Sequence, residues 1–189
     1  MKNYLKIILS LINFSTKHYI EYRLSTIGYL VTSLTSFALA IFFVQTFFTF
    51  NTSLNGWNKT SALLLTGVCR IILSIVALLF SKSINRMPEY IRMGELDILL
   101  TKPVNSQFLL SFRHIKIYDL INILSGVMVV FYAIGRSGPI PLIYYLTLLI
   151  GLIFGVVTLY SIYFIIATFS IWLVKFNAFS DVFEVVMRP

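Results

Sequence analysis

Few side chains in this sequence have the types and spacings that covalent or metal chemistry needs. The two histidines, His18 and His114, lie far apart, and the single cysteine, Cys69, can form no intrachain disulfide. No histidine or cysteine recurs at the short intervals of a metal site. His114 and Asp119 are five residues apart and share no helical face well, so they make a poor acid–base pair. The phosphate-cradling pattern GxxxxGK(S/T) is absent, so the chain does not hydrolyse ATP itself and any such energy comes from another polypeptide. The reading is of a non-enzyme without cofactor or metal. Two features remain. Arg70 stands alone in an apolar run, and a charged segment, PEYIRMGELDILLTKPVN, begins at Pro88.

The elements that must position them belong to a membrane. Apolar residues make up 58% of the 189 and charged residues 12%, half the roughly one quarter that a soluble surface requires. Four apolar stretches, residues 27–50, 60–80, 117–134 and 142–174, each suit one helical crossing of about 30 Å, for which roughly 20 residues suffice. The last is too short for two crossings and a turn, so it reads as one tilted or projecting helix. Residues 2–23 place Lys6, Ser10, Asn13 and Lys17 opposite Tyr4, Ile8, Leu11 and Ile12. That pattern fits an amphipathic helix in the interface with lipid as its partner, or a frayed extension of the first span. Residues 176–189 are too short to span and end with their apolar pattern still running, as the start of an incomplete segment would. The fold class is an all-α integral membrane protein, a single domain over residues 1–189.

Charge sets the orientation. Eleven cations (Lys2, Lys6, Lys17, Arg23, Lys82, Arg86, Arg92, Lys102, Arg113, Lys116 and Lys175) fall on one side and only Lys59 and Arg136 on the other. The positive-inside rule then makes the N-terminus and the loop 81–116 cytoplasmic. This asymmetry accounts for the net charge of +8 without a nucleic-acid partner.

Within that loop, Pro88 suits the first turn of a short helix and Gly94 its end, with Glu89 and Arg92 placed as the helix dipole prefers. Ile84, Met87 and Ile91 share a face if the helix begins earlier. The element reads either as an interfacial seal or as a docking knob for a cytoplasmic partner. Arg70, costing roughly 2.5–3.5 kcal/mol at a bilayer centre, must face protein or water. Either it meets an anionic substrate group or it pairs with an acid or carbonyls in the bundle core. Gly151 and Gly155 have the spacing that allows close helix packing. Asp119 is expected to pair with Arg113 or Lys116 near the cytoplasmic surface.

The loop motif, the Gly56-Trp57 pair, Ser111-Phe112-Arg113 and Trp172-Leu173-Val174 together resemble type-2 ABC transporter permeases, in particular the small six-span export permeases. The resemblance covers essentially the whole chain and implies truncation before the last span. It also implies export powered by a cytoplasmic ABC ATPase subunit and pairing with a second permease subunit in the cell membrane. By that resemblance residues 84–93 form the coupling helix, followed by a turn at Gly94-Glu95-Leu96-Asp97. The partner-facing set is then Arg86, Met87, Pro88, Glu89, Tyr90, Ile91, Arg92, Gly94, Glu95 and Asp97, and the motor would shift the second and third spans. The alternative is a membrane scaffold or assembly protein without a transport path.

Overall fold

The structure, a computed structural model, describes residues 23–50, 56–101, 105–138 and 141–186. The amphipathic segment 2–22, Lys102-Pro103 and residues 187–189 lie outside the described residues. The protein is an all-α membrane protein. Its helices are α1 (Arg23–Phe50), α2 (Lys59–Val76), α3 (Lys82–Asn85), α4 (Met87–Arg92), α5 (Glu95–Leu100), α6 (Ser106–Phe112), α7 (Asp119–Arg136) and α8 (Leu142–Val186). A π-helical segment, Ala77–Ser81, joins α2 to α3. Four helical runs are long and apolar enough to cross a membrane.

At the start of α2, Trp57 follows Gly56, whose φ of 84° needs a residue without Cβ. The Asn58 side chain then caps the helix by accepting from Ser61 N at 2.8 Å. From there α2 packs along α7 in the most extensive interface of the molecule. Lipid gives apolar helices no reason to separate from it, so close backbone approach decides which helices associate. Here Gly67 and Gly126 face each other: a Cβ on Gly67 would lie 2.8 Å from Val130 Cγ2 and 3.1 Å from the Gly126 carbonyl oxygen. A Cβ on Gly126 would lie 2.9 Å from Ile71 Cγ1. The buried stripe of α2 therefore reads Leu63, Gly67, Ile71, Ser74, and that of α7 Asp119, Asn122, Gly126, Val130, Ala133.

The helix that carries the fourth crossing continues beyond the apolar stretch: it runs unbroken to Val186, about 68 Å at 1.5 Å per residue. Of the glycine pair on it, Gly155 meets α2, where a Cβ would come within 2.6 Å of Ile72 Cδ1. Gly151 has nothing within 4 Å and lines a ≈ 490 Å³ cleft between α2 and α8 with Trp57, Tyr144 and Tyr145.

On α1 the inward positions (Thr26, Leu30, Ser33, Phe37, Ile41, Val44 and Phe48) are spaced by four or three, and among its described side chains only Phe37 is fully buried.

Candidate functional site

The loop between the second and third crossings folds into a compact helical knuckle, and sequence and structure differ on its form. Residues 84–93 do not form one helix: α3 ends at Asn85 and α4 begins at Met87, with the chain turning at Arg86. Proline at position 88 brings no N–H to continue the preceding turn, which favours a restart there. Met93 N donates to the Glu89 carbonyl at 3.0 Å, and Gly94, at φ 72°, reverses the chain into α5. The Gly94-Glu95-Leu96-Asp97 stretch is therefore not a turn but a left-handed glycine followed by helix Glu95–Leu100.

The knuckle has an inner and an outer side. Ile84, Met87, Tyr90 and Leu99 join Val76, Phe80, Leu110 and Ala167 in one apolar core, flanked by Tyr160 and Phe164 of α8. Met87 and Tyr90, placed on sequence among the partner-facing residues, are thus 6% and 4% exposed and point into the protein. Ile91 is half-buried beside them. The outer side carries Arg86, Glu89, Arg92, Met93, Asp97 and Ile98, all exposed. The helical backbone of α4 includes Pro88 in its first turn.

Polar contacts close the knuckle onto the end of the loop. The Tyr90 hydroxyl lies 2.8 Å from His114 Nε2, and His114 N donates to Ser83 Oγ at 2.7 Å. Arg113 stacks over the Tyr90 ring at 4.8 Å and pairs with Glu95 at 3.6 Å. Burial pushes the Tyr90 phenol above its ordinary pKa, with the nearby Arg113 and Arg86 pulling the other way. Lys116 N donates to the Leu78 carbonyl in the π segment at 2.8 Å. His114 serves here as a fastener. On its apolar side α4 packs against α8, the helix of the fourth crossing.

Arg70 finds its partners within the chain. Its Nη2 donates to the Ser33 carbonyl at 3.1 Å, to Ser33 Oγ at 3.0 Å and to Asn122 Oδ1 at 2.8 Å, and the guanidinium lies 4.7 Å from the Phe37 ring centre. Asn122 Nδ2 in turn donates to Asp119 Oδ1 at 2.7 Å, which also accepts from the Tyr29 hydroxyl at 2.9 Å. Asp119 is completely buried, so the expected surface pair with Arg113 or Lys116 is not what forms. Arg113 goes to Glu95, and Lys116 sits over Tyr29, its Nζ 5.9 Å from the ring centre. Arg70 Nε and Asp119 Oδ2 are buried with no hydrogen-bond partner among the described residues.

Sequence reasoning missed Tyr29, Ser33 and Asn122. The available signal was the stripe Asp119, Asn122, Gly126: polar and small residues on one face of an otherwise apolar helix mark the side that must avoid lipid. A further open cavity of ≈ 620 Å³ lies between α6 and α8, walled by Phe80, Phe108, Phe112 and Tyr160.

A family model described as ABC-2 family transporter protein matches residues 34–188, taking in all four crossings except the start of the first. No curated protein and no solved structure matches the chain. A helical membrane chain, matched over four fifths of its length and lacking a nucleotide-binding glycine loop, belongs to the ABC-2 transporter family as a membrane transport component.

Proposed function

We propose that the chain is the permease subunit of an exporter, driven by a separate cytoplasmic ABC ATPase that docks on the outer side of the knuckle. The observation that carries this is its two-sidedness. Ile84, Met87, Tyr90 and Leu99 root it in the core, while Glu89, Arg92, Met93 and Ile98 stay uncovered on the opposite side. A stiff element with an anchored side and a free side transmits an applied force, which a floppy loop cannot. The loop's excess of cations over the opposite side's supports a cytoplasmic knuckle and N-terminus in the cell membrane. The family also favours pairing with a second permease subunit.

ATP closure of the ATPase pair then supplies the differential contact energy that any two-state change requires. The push passes through Met87 and Tyr90 into α8 and through Phe80 into α2. The test is co-purification with the ATPase encoded beside the gene. Deleting residues 89–95, or the double exchange Glu89→Lys with Arg92→Glu, should leave a membrane-inserted protein that no longer captures it. Undiminished capture by both variants removes the docking assignment.

A further inference from the structure

We propose that Tyr29, Ser33, Arg70, Asn122 and Asp119 form a polar clasp that fastens the first crossing to the second and third, and that its opening frees α1 to move during transport. The clasp follows from the structure by itself; its use in transport rests on the proposed function.

The argument begins with what α1 lacks. Among its described side chains only Phe37 is fully buried, and its contacts with α2 and α7 are sparse beside those between α2 and α7. Apolar faces gain little by meeting each other in lipid, so such a helix stays docked only through hydrogen bonds and close packing. Hydrogen bonds from α1 reach three side chains on α2 and α7. Tyr29 donates to Asp119, Ser33 donates to Asn122 at 3.2 Å, and Arg70 donates to both acceptors of Ser33. Phe37 completes the set by lying against the guanidinium.

The chemistry is that of a releasable joint. Asn122 bridges the two opposite charges, accepting from Arg70 and donating to Asp119. When α1 leaves, Arg70, Asn122 and Asp119 remain on α2 and α7 with their mutual bonds, so opening exposes no isolated charge. A clasp through a direct ion pair between α1 and its neighbours would not open so cheaply.

The clasp also touches the loop. Tyr118 packs edge-on against Tyr29 with ring centres 4.8 Å apart, Lys116 sits over the same ring, and the Lys116 N–H holds the Leu78 carbonyl. Displacement of residues 113–118 by the knuckle therefore bears on Tyr29 directly.

The test is a pulsed electron-spin distance measurement on full-length protein in lipid nanodiscs, with Cys69→Ser and nitroxides on Phe42→Cys and Met128→Cys. Both positions face away from the bundle, 66% and 69% exposed. Labelled chains are diluted with unlabelled ones so that only intrachain distances are read. The pair Leu73→Cys and Met128→Cys serves as a control for the α2–α7 packing. Asn122→Leu deletes one bond that α1 makes, the one from Ser33, while the Asn122 bonds to Arg70 and Asp119 lie on α2 and α7 in both states; at about threefold per membrane hydrogen bond it should raise the open-to-closed ratio about threefold. Tyr29→Phe likewise deletes one bond and should raise it about threefold, and the double variant about tenfold.

A longer Phe42–Met128 population growing in each single variant and further in the double, with the control pair unmoved, supports the clasp. An unchanged distribution in both variants overturns it. If Asn122→Leu also moves the control pair, Tyr29→Phe decides by the same criterion. Adding ATP to the wild-type complex with its ATPase tests the use separately. Growth of the long population supports opening in the cycle; no growth, with Asn122→Leu still open, overturns that half and keeps the clasp.

Discussion

Replacing Gly67 with alanine should be the most damaging single-methyl change in the membrane part of the molecule. The added Cβ would lie 2.8 Å from Val130 Cγ2, 3.1 Å from the Gly126 carbonyl oxygen and 3.2 Å from Val130 N. A valine methyl can rotate away, but two of the three obstacles are backbone atoms of the facing helix. Relief requires α2 and α7 to separate along their whole crossing, loosening the pairs around Ile71 and Arg70. Overpacking of this kind costs about 1–3 kcal/mol. Three other alanine substitutions calibrate it. Gly126→Ala meets Ile71 Cγ1 at 2.9 Å and the Gly67 carbonyl at 3.1 Å and should cost a similar amount. Gly155→Ala meets only side-chain atoms of Ile72, which can swing aside, and should cost well under 1 kcal/mol. Gly151→Ala meets nothing and should be neutral or slightly stabilising, since alanine is the better helix former.

Thermal unfolding of the purified protein in mild detergent, followed by circular dichroism, gives the order. Val130→Ala added to Gly67→Ala should restore only part of the loss, because the backbone conflicts remain. If Gly67→Ala and Gly151→Ala unfold at the same temperature, the glycine contact does not hold α2 to α7. If Val130→Ala restores stability fully, the conflict was with the side chain alone.

The other polar contacts are graded by burial. Asp119→Leu strands the Tyr29 hydroxyl and the Asn122 amide and should lower stability by about 2 kcal/mol or more, whereas Arg113→Gln or Glu95→Gln, breaking a half-exposed pair, should cost under about 1 kcal/mol; denaturant titration in detergent compares them. Tyr90→Phe removes the bond to His114 and should cost about 1 kcal/mol while leaving the aromatic core in place, measured the same way. Arg70→Leu should insert at least as efficiently as wild type, since a central arginine costs roughly 2.5–3.5 kcal/mol, yet should alter transport in vesicles; poorer insertion in a translocon assay contradicts this.

Much of the fold was legible because lipid imposes a simple constraint: a helical crossing must be long and apolar, and the described residues contain four such helices. The same constraint hides everything else. In α1 both the lipid-facing and the bundle-facing positions are apolar, so no periodic contrast singles out Leu30, Phe37 and Ile41 as the inward row. Glycine spacing suggested Gly151 and Gly155, but the glycines that decide the packing, Gly67 and Gly126, lie on different helices, where no spacing rule links them. Asp119 looked like a surface residue because two cations, Arg113 and Lys116, shortly precede it in sequence. Its first-turn position on α7 instead turns the carboxylate inward, toward Tyr29. In the knuckle, Pro88 and Gly94 correctly marked a short helix, whereas the break at Arg86 and the helix after Gly94 depend on burial of Ile84, Tyr90 and Leu99 against α8, a partner some seventy residues away.

The π segment lies where the helical run from α2 changes neighbours. Up to Ser74 the buried row of α2, spaced by four and three, faces α7. From Val76 onward the row is Val76, Phe80, Ile84 and Met87, and it faces the knuckle core and α8. A regular α-helix would have kept Leu78 in line with Ser74. The wider turn across Ala77–Ser81 absorbs an extra residue and shifts the row, and it leaves the Leu78 carbonyl to accept from Lys116 N. Deleting Leu79 should therefore restore regular winding and leave Ile84, Met87 and Tyr90 facing α8, because the wide turn had already taken up that residue, while the bond from Lys116 N to the Leu78 carbonyl would be lost. Nitroxides on Met93→Cys and Phe169→Cys, both exposed, and on the Leu73–Met128 pair should hold their distances. A deletion variant in which the Met93–Phe169 distance changes while the Leu73–Met128 distance holds would mean that the wide turn does not absorb the residue and that its length sets the row.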